Sequence, residues 1–176
     1  MLKKNIFVIG GCKSGKSRHA LELAEKITKE KRLFIATCVP CDNEMEQKVA
    51  RHKKERDKTW STLEIPIKIS EAIQNNHNSC NVILIDCITL WINNILATTK
   101  QWDAITGNVK RFVHCIEKSK CPVIMVSNEV GTGIVPENSL ARLFRDVAGY
   151  VNQQIAAHVD DVFWMVAGIP VPIKKS

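Results

Sequence analysis

Eight residues near the amino terminus have the composition and spacing of a phosphate-binding loop. They are Gly10-Gly11-Cys12-Lys13-Ser14-Gly15-Lys16-Ser17, and they follow the apolar segment 6–9. In the pattern G-x-x-x-x-G-K-S, the glycines let backbone N–H groups converge on a phosphate, the lysine reaches the β- and γ-phosphates, and the serine hydroxyl binds Mg²⁺. The N-terminus of a following helix favours the same anion. The sequence therefore predicts a nucleoside triphosphate site, with Lys16 as a catalytic residue and Ser17 as a metal ligand.

Asp86 is the second candidate, because it follows directly on the apolar run 82–85. A buried parallel strand ends at the ligand-binding edge of an α/β sheet, so a carboxylate at that point lies beside a bound nucleotide. An acid in this position helps to hold Mg²⁺, directly or through water. An aspartate just before a predicted helix is also a suitable N-cap. The sequence predicts a metal-binding role for Asp86 and leaves the capping role open.

His52 is the third candidate. With Met45 and Val49 it lies on one face of a helix predicted over 43–57, and basic residues follow it. A histidine at the inward end of a cationic helix is well placed for an anionic substrate, and the positive neighbours favour its neutral, nucleophilic form. Most isolated histidines are not catalytic, so the residues alone leave a core-edge or surface role open.

The elements that must position these residues alternate along the chain. Apolar runs predict strands at 5–10, 33–37, 82–86, 122–127 and 161–167, with a short edge strand at 65–69. Helical patterns fill 16–30, 43–57, 88–99, 103–119 and 137–158. Alternating strands and helices imply right-handed crossovers and a mostly parallel sheet with helices on both faces. The prediction is an α/β fold in which residues 1–176 form a single P-loop nucleotide-binding domain.

The composition narrows the classes of partner. A net charge of +7 favours anionic ligands such as nucleotides, but aromatic residues are sparse (6%) and do not alternate with basic ones, so we expect no nucleic acid partner. No stretch approaches the roughly 18 apolar residues that a membrane span needs. The first residues do not resemble a signal peptide, which predicts a cytoplasmic protein. The seven irregularly spaced cysteines are interpreted as reduced thiols.

Taken together, these segments resemble the bifunctional adenosylcobinamide kinase / adenosylcobinamide-phosphate guanylyltransferase family over nearly the whole chain. The matching segments are 10–20 (G-G-x-R-S-G-K-S-R-x-A in the family), 35–37, 42–45 and 48–53 (D-x-E-M, then R-I-x-x-H-K/R), 60–64 (W-x-T-x-E), 127–136, 144–149 and 151–153. The chain departs from the family pattern at Lys13 and Lys48, where arginine is usual, and at Pro170 in a tail that is often rich in glycine. Lysine keeps the charge but lacks the bidentate fork of arginine.

The resemblance implies a role for each matching position. His52 corresponds to the histidine that becomes guanylylated. Further nucleotide contacts fall at Thr37, Cys38, Val39, Lys53, Lys54, Glu55, Arg56, Glu64 and Asp86. The implied cofactors are GTP, ATP or both, with Mg²⁺, and the implied substrates are adenosylcobinamide and adenosylcobinamide phosphate. The family also implies a homo-oligomer. Trp91 and Trp102, in a segment rich in apolar residues, are candidate subunit contacts.

Three other functions fit parts of the pattern. A P-loop kinase for a small metabolite needs the P-loop and Asp86 but no chemistry at His52. A regulatory GTPase needs a guanine-reading N-K-x-D, and the nearest segment, 127–130, lacks both the lysine and the aspartate. A basic nucleic-acid-binding ATPase has only the net charge in its favour, and its affinity would fall steeply with salt.

Overall fold

The computed structural model describes residues 3–40 and 56–176, which contain seven strands and five helices. The strands are β1 Ile6–Gly10, β2 Arg32–Ala36, β3 Trp60–Glu64, β4 Val82–Asp86, β5 Val123–Asn128, β6 Asp161–Val166 and β7 Ile169–Lys174. The helices are α1 Lys16–Ile27, α2 Ile69–Asn76, α3 Ile88–Thr98, α4 Trp102–Lys118 and α5 Ser139–His158.

All seven strands form one sheet in the order β3-β2-β4-β5-β1-β6-β7. Every neighbouring pair is parallel except β6 and β7, which form an antiparallel hairpin. The carboxyl ends of β1 to β6 therefore share one edge, which we call the carboxyl edge. The predicted α/β fold with a mostly parallel sheet is confirmed. In the described part of the chain, no helix has the length and apolar character needed to cross a bilayer.

Both faces of the sheet are buried, which explains why the central strands are continuously apolar. One face carries Val8, Leu84 and Val126, packed under Ala20 and Ala24 of α1. The opposite face is larger, and α2 to α5 cover it with their apolar stripes. The helices thus hold the strand ends of the carboxyl edge from two sides.

The predicted elements are largely present, but the region between β2 and β4 differs. The expected edge strand at 65–69 is wrong: the edge strand is β3, at 60–64, and α2 begins at Ile69. Pro66 cannot donate to a ladder, and the chain turns there into a helix whose buried Ile69, Ala72 and Ile73 follow helical spacing. Residues 43–55 of the predicted helix 43–57 lie outside the described residues.

The structure also adds β7 to the predicted strands. Pro170 and Pro172 lie in this strand, which is at the edge of the sheet, where a residue without an N–H is tolerated. The tight turn before it contains Ala167 and Gly168, both with positive φ (49° and 84°), as a two-residue hairpin requires. The departure from the family pattern at Pro170 is therefore compatible with the fold.

Candidate nucleotide-binding site

The glycine-rich segment 10–15 connects β1 to α1 at the carboxyl edge, as the motif predicts. Gly10 has no room for a side chain, because a Cβ there would lie 2.5 Å from the carbonyl oxygen of Met165. Gly15, the residue before α1, has a φ of 93°, which favours glycine. The hairpin turn of β6 and β7 supports the loop, since the Gly168 N–H donates to the Ser14 carbonyl at 3.1 Å. Cys12 and Lys13 are exposed on the loop.

Lys16 is the first residue of α1 and is only 8% exposed. Its ammonium group donates to the carbonyl oxygen of Gly11 and lies 3.5 Å from the hydroxyl of Ser14. Burial lowers the pKa of Lys16, while the carboxylate of Asp86 acts in the opposite direction. The first turn of α1 contains no acidic residue. A buried cation at a helix N-terminus is a favourable environment for a phosphate group.

Asp86 is the last residue of β4, and the N-cap of α3 is its neighbour Cys87. The capping role left open by the sequence therefore does not fall to Asp86. Ser17, the second residue of α1, is the other proposed metal ligand and is half-buried. A hydroxyl and a carboxylate are hard oxygen ligands that suit Mg²⁺. Over residues 3–40 and 56–176, no cluster of three or more His, Cys, Asp or Glu could hold a metal alone, so phosphate oxygens and water would complete the coordination.

Thr37 follows β2 and has no exposed surface. Its hydroxyl accepts a hydrogen bond from the Cys87 N–H at 2.9 Å and donates to the Cys87 carbonyl at 2.7 Å. The Thr37 side chain thus fixes the peptide groups next to Asp86. Cys38 is half-buried and Val39 is 53% exposed, so both can be approached from solvent.

Cys87 is an unsuitable nucleophile despite its position beside Asp86. Burial, and then the charge of Asp86, raise the pKa of Cys87 to about 12, so the thiol stays protonated at neutral pH.

Glu64 and Asp86 flank the end of β2, because each pairs with Ala36 in the sheet register. At the usual strand spacing they are about 10 Å apart. Glu64 is exposed at the end of β3, four strands from β1, or about 19 Å along the sheet from the end of β1. Glu64 and the P-loop therefore cannot bind the same phosphate group, and Asp86 lies between them.

Arg56 begins the second described segment of the chain. Its guanidinium lies over the ring of Phe34, 3.8 Å from the centroid, on the face of the sheet that α1 covers. Nearby, Arg32 is almost fully buried and holds Asp57 through two hydrogen bonds of 3.1 and 2.9 Å. These contacts fix the chain where it enters β3. His52, Lys53, Lys54 and Glu55, all predicted site residues, lie outside the described residues.

The histidines at 19, 77, 114 and 158 have other surroundings. His19, on the first turn of α1, packs edge-on against Phe163 at 5.3 Å between ring centroids, and burial lowers its pKa. His77 accepts a hydrogen bond from the Lys120 N–H, far from the carboxyl edge. His114 lies on α4, and His158 is the last residue of α5.

Polar side chains to which the sequence analysis assigned no role hold the end of β5. Thr89, Ser127 and Asn152 are all at least nine-tenths buried and come from α3, β5 and α5. The Ser127 hydroxyl donates to Asn152 Oδ1 at 2.8 Å, and the Asn128 N–H donates to Thr89 Oγ1 at 2.7 Å. The signals in the sequence were the family resemblance of 127–136 and 151–153, which include Ser127 and Asn152, and polarity within otherwise apolar segments.

The loop after β5, residues 129–138, begins beside the P-loop, since the Glu129 N–H donates to the Gly10 carbonyl at 3.0 Å. Arg145 of α5 donates to the carbonyls of Gly131 and Ile134, at 2.9 and 3.0 Å. Through these hydrogen bonds Arg145 holds the loop against α5. The α5 helix begins after Asn138, whose side chain accepts from the Ala141 N–H at 3.1 Å.

Trp91 and Trp102 differ in exposure. Trp91 is 1% exposed, in the core, and its indole N–H donates to the Ile67 carbonyl at 2.8 Å. The suggestion that Trp91 belongs to a subunit contact is therefore wrong. Trp102, at the start of α4, is 46% exposed.

Comparison of the whole chain with solved structures supports the fold. A protein from Pyrococcus horikoshii superimposes with a TM-score of 0.56 at 9% identity, covering 98% of this chain and 86% of that one. A KaiC-like protein from the same archaeon gives a TM-score of 0.50 at 10% identity, covering 92% of this chain and 70% of the other. At such low identity these similarities concern the fold alone.

Sequence comparison is more specific. Residues 6–173 match the family model of cobinamide kinase / cobinamide phosphate guanyltransferase. The chain is 38% identical to the bifunctional adenosylcobalamin biosynthesis protein CobU of Escherichia coli, covering 96% of this chain and 99% of that protein. It is 35% identical to the bifunctional adenosylcobalamin biosynthesis protein CobP of Pseudomonas aeruginosa, covering 95% of each. With a P-loop at the carboxyl edge and a match over nearly its full length, the chain belongs to the cobinamide kinase / cobinamide phosphate guanyltransferase family.

Proposed function

We propose that this chain is a bifunctional enzyme of cobalamin biosynthesis that phosphorylates adenosylcobinamide and then transfers GMP from GTP to adenosylcobinamide phosphate. The observation that supports this most strongly is the family match over residues 6–173, on a chain whose P-loop and Asp86 lie at the same edge of the sheet. We further propose that residues 1–176 act as one nucleotide-binding domain, in the cytoplasm and as a homo-oligomer.

In the kinase step, the triphosphate lies on backbone N–H groups of the P-loop, residues 10–17. The ammonium of Lys16 compensates the charge of the β- and γ-phosphates, and the γ-phosphoryl group passes to the hydroxyl of adenosylcobinamide. Mg²⁺, held by Ser17 and Asp86 with the phosphates, would supply further charge compensation. The protein contributes mainly position and charge, as is usual for phosphoryl transfer.

In the transferase step, neutral His52 attacks the α-phosphorus of GTP and pyrophosphate leaves. The phosphate of adenosylcobinamide phosphate then attacks the same phosphorus, which breaks the bond to His52 and forms the GDP-linked product. Covalent catalysis divides one displacement into two easier ones. We propose that Glu64, Cys38 and Val39 contact the base or ribose, because the distance of Glu64 from the P-loop excludes a shared phosphate. Thr37, also expected at this contact, is fully buried and supports the backbone beside Asp86 instead.

Product analysis tests the proposed function. The purified protein, Mg²⁺ and adenosylcobinamide are incubated with ATP or GTP, and the products are separated and weighed by mass spectrometry. We expect a phosphorylated product and, only with GTP, a GDP-linked product. Phosphorylation without any GDP-linked product would support a small-metabolite kinase instead, and nucleotide hydrolysis without either product would contradict both activities.

Replacing Asp86 with asparagine is expected to lower phosphoryl transfer by about 100-fold and to raise the Mg²⁺ concentration needed for half-maximal rate. The carboxylate also raises the pKa of Lys16, so the variant should lose protonated Lys16 at a lower pH than the wild type. The alkaline limb of its pH–rate profile should therefore move to lower pH.

Rates measured over a Mg²⁺ series and a pH series test this prediction for Asp86. Asp103→Asn, on the exposed first turn of α4, is the matched control. If the Asp86→Asn variant had the Mg²⁺ dependence of the wild type, Asp86 would not be a metal ligand.

A further inference from the structure

The α3 helix begins at Ile88, just after Asp86 and the N-cap Cys87, and carries polar side chains that contact backbone on both sides of β4. Its sequence, ITLWINNILAT, is mostly apolar, and Ile88, Ile92 and Ile95 face the core. Thr89 and Asn94 are exceptions. Thr89 bonds backbone at the end of β5, and Asn94 bonds backbone groups that follow β2 and β3.

Thr89 holds the end of β5. Its Oγ1 accepts from the Asn128 N–H at 2.7 Å and lies 3.3 Å from the Ser127 hydroxyl. The amide of Asn152 completes the support, donating to the Asn128 carbonyl at 3.3 Å. Both backbone groups of Asn128 are thus bound by side chains from helices. Asn128 pairs with Gly10 in the register of β1 and β5, so this support lies directly beside the P-loop.

Asn94 holds the end of β2. Its side-chain N–H₂ donates to the carbonyl of Thr37 at 2.8 Å and to the carbonyl of Pro66 at 3.0 Å. The hydroxyl of Thr37 in turn binds both backbone groups of Cys87, the residue after Asp86. A chain of hydrogen bonds therefore leads from Asn94 through Thr37 to the peptide that orients Asp86.

We propose that Thr89 and Asn94 are positioning residues for the nucleotide site: through them α3 sets the backbone at the ends of β5 and β2, on either side of Asp86. The geometry supports this because β4 lies between β2 and β5 in the sheet, and α3 is the helix that leaves β4. A rigid helix bonded to both flanking strands fixes the spacing between Asp86, the P-loop and residues 37–39. Phosphoryl transfer depends on such positioning, and displacements of about 1 Å can cost about 100-fold in rate.

The test compares substitutions on α3: two that each remove a hydrogen bond, two matched controls, and Thr89→Ser, which keeps the hydroxyl at position 89. Thr89→Val removes the acceptor for Asn128 at constant shape, and Asn94→Ala removes the donor to Thr37. The matched controls are Thr98→Val, whose hydroxyl donates within α3 to the Ile95 carbonyl at 2.8 Å, and Asn93→Ala, an exposed neighbour. The rates measured are Mg²⁺-dependent triphosphate hydrolysis without acceptor and phosphoryl transfer to adenosylcobinamide, each per folded molecule at a temperature below all thermal midpoints.

We expect Thr89→Val and Asn94→Ala to lower kcat by about 10- to 100-fold while KM for the nucleotide changes little, because the P-loop itself is unchanged. Asn94→Ala should also raise the Mg²⁺ requirement, whereas Thr89→Ser and both controls should stay within about threefold of the wild type. A purely structural role would lower the thermal midpoint without changing kcat per folded molecule. That result, or a Thr89→Ser variant as impaired as Thr89→Val, would overturn the inference.

The inference rests on the proposed function in one respect, because phosphoryl transfer is measured with adenosylcobinamide as the acceptor. A wild type that hydrolyses the triphosphate but phosphorylates no adenosylcobinamide would contradict the proposed function, and the hydrolysis rates of the variants would still decide the role of α3. Asn94 is only partly buried, so Asn94→Ala remains informative if Thr89→Val does not fold.

Discussion

Replacing Lys16 with methionine is expected to lower phosphoryl transfer by at least about 100-fold, because the variant loses the cation that neutralises the transferring phosphoryl group. Methionine keeps most of the length and packing of the buried side chain. The ammonium group has a defined place, since it donates to the Gly11 carbonyl and lies close to Ser14 within the P-loop. The affinity for the triphosphate should fall as well, because the same charge binds the ground state.

Lys26→Met is the matched control for Lys16, since Lys26 is exposed in the last turn of the same helix. Steady-state rates and the affinity for a fluorescent GTP analogue should separate the two variants. If the same P-loop serves GMP transfer, Lys16→Met should lose that activity too. A Lys16→Met variant with wild-type kcat would show that the phosphoryl donor binds elsewhere.

Replacing His52 with alanine is expected to abolish formation of the GDP-linked product while phosphorylation of adenosylcobinamide continues. The reason is chemical: the proposed transferase step needs a nucleophile at the α-phosphorus, whereas the kinase step uses the P-loop and the acceptor hydroxyl. Product analysis of this variant with GTP should therefore detect the phosphorylated product but no GDP-linked product. His158→Ala, at the exposed end of α5, should keep both activities.

Loss of both activities in a folded His52→Ala protein would contradict this division of roles. It would indicate that His52 supports the kinase step or the binding of the nucleotide. Continued formation of the GDP-linked product would assign the nucleophile to another residue. His19 is a poor substitute, because its side chain is mostly buried against Phe163.

The P-loop and the central strands could be predicted from the sequence because their signals are local. The motif at 10–17 specifies its own backbone, and a parallel strand buried on both faces is apolar throughout, as in 82–85. The position of Asp86 at the carboxyl edge followed from the same run. An edge strand was predicted at 65–69, and β3 and α2 were missed, because a short strand, a proline turn and an eight-residue helix each carry a weak signal.

The supports of the site could not be predicted, because they depend on which elements are neighbours in the fold. Thr89 and Ser127 are far apart in sequence and meet only when α3 packs beside β5. Thr37 was expected to contact the nucleotide, yet it is fully buried and its hydroxyl bonds both backbone groups of Cys87. Trp91 was suggested as a subunit contact for a related reason, since its apolar helix could face either a partner or the core.

Covalent labelling with α-³²P-GTP and Mg²⁺ is the most direct test of the proposed bifunctional activity. The wild type, His52→Ala and His158→Ala proteins are labelled, denatured and treated with acid or alkali. The proposed mechanism predicts an acid-labile, alkali-stable label on the wild type and on His158→Ala, and none on His52→Ala. A folded wild type that binds GTP but never takes up label would contradict GMP transfer through an enzyme-bound intermediate.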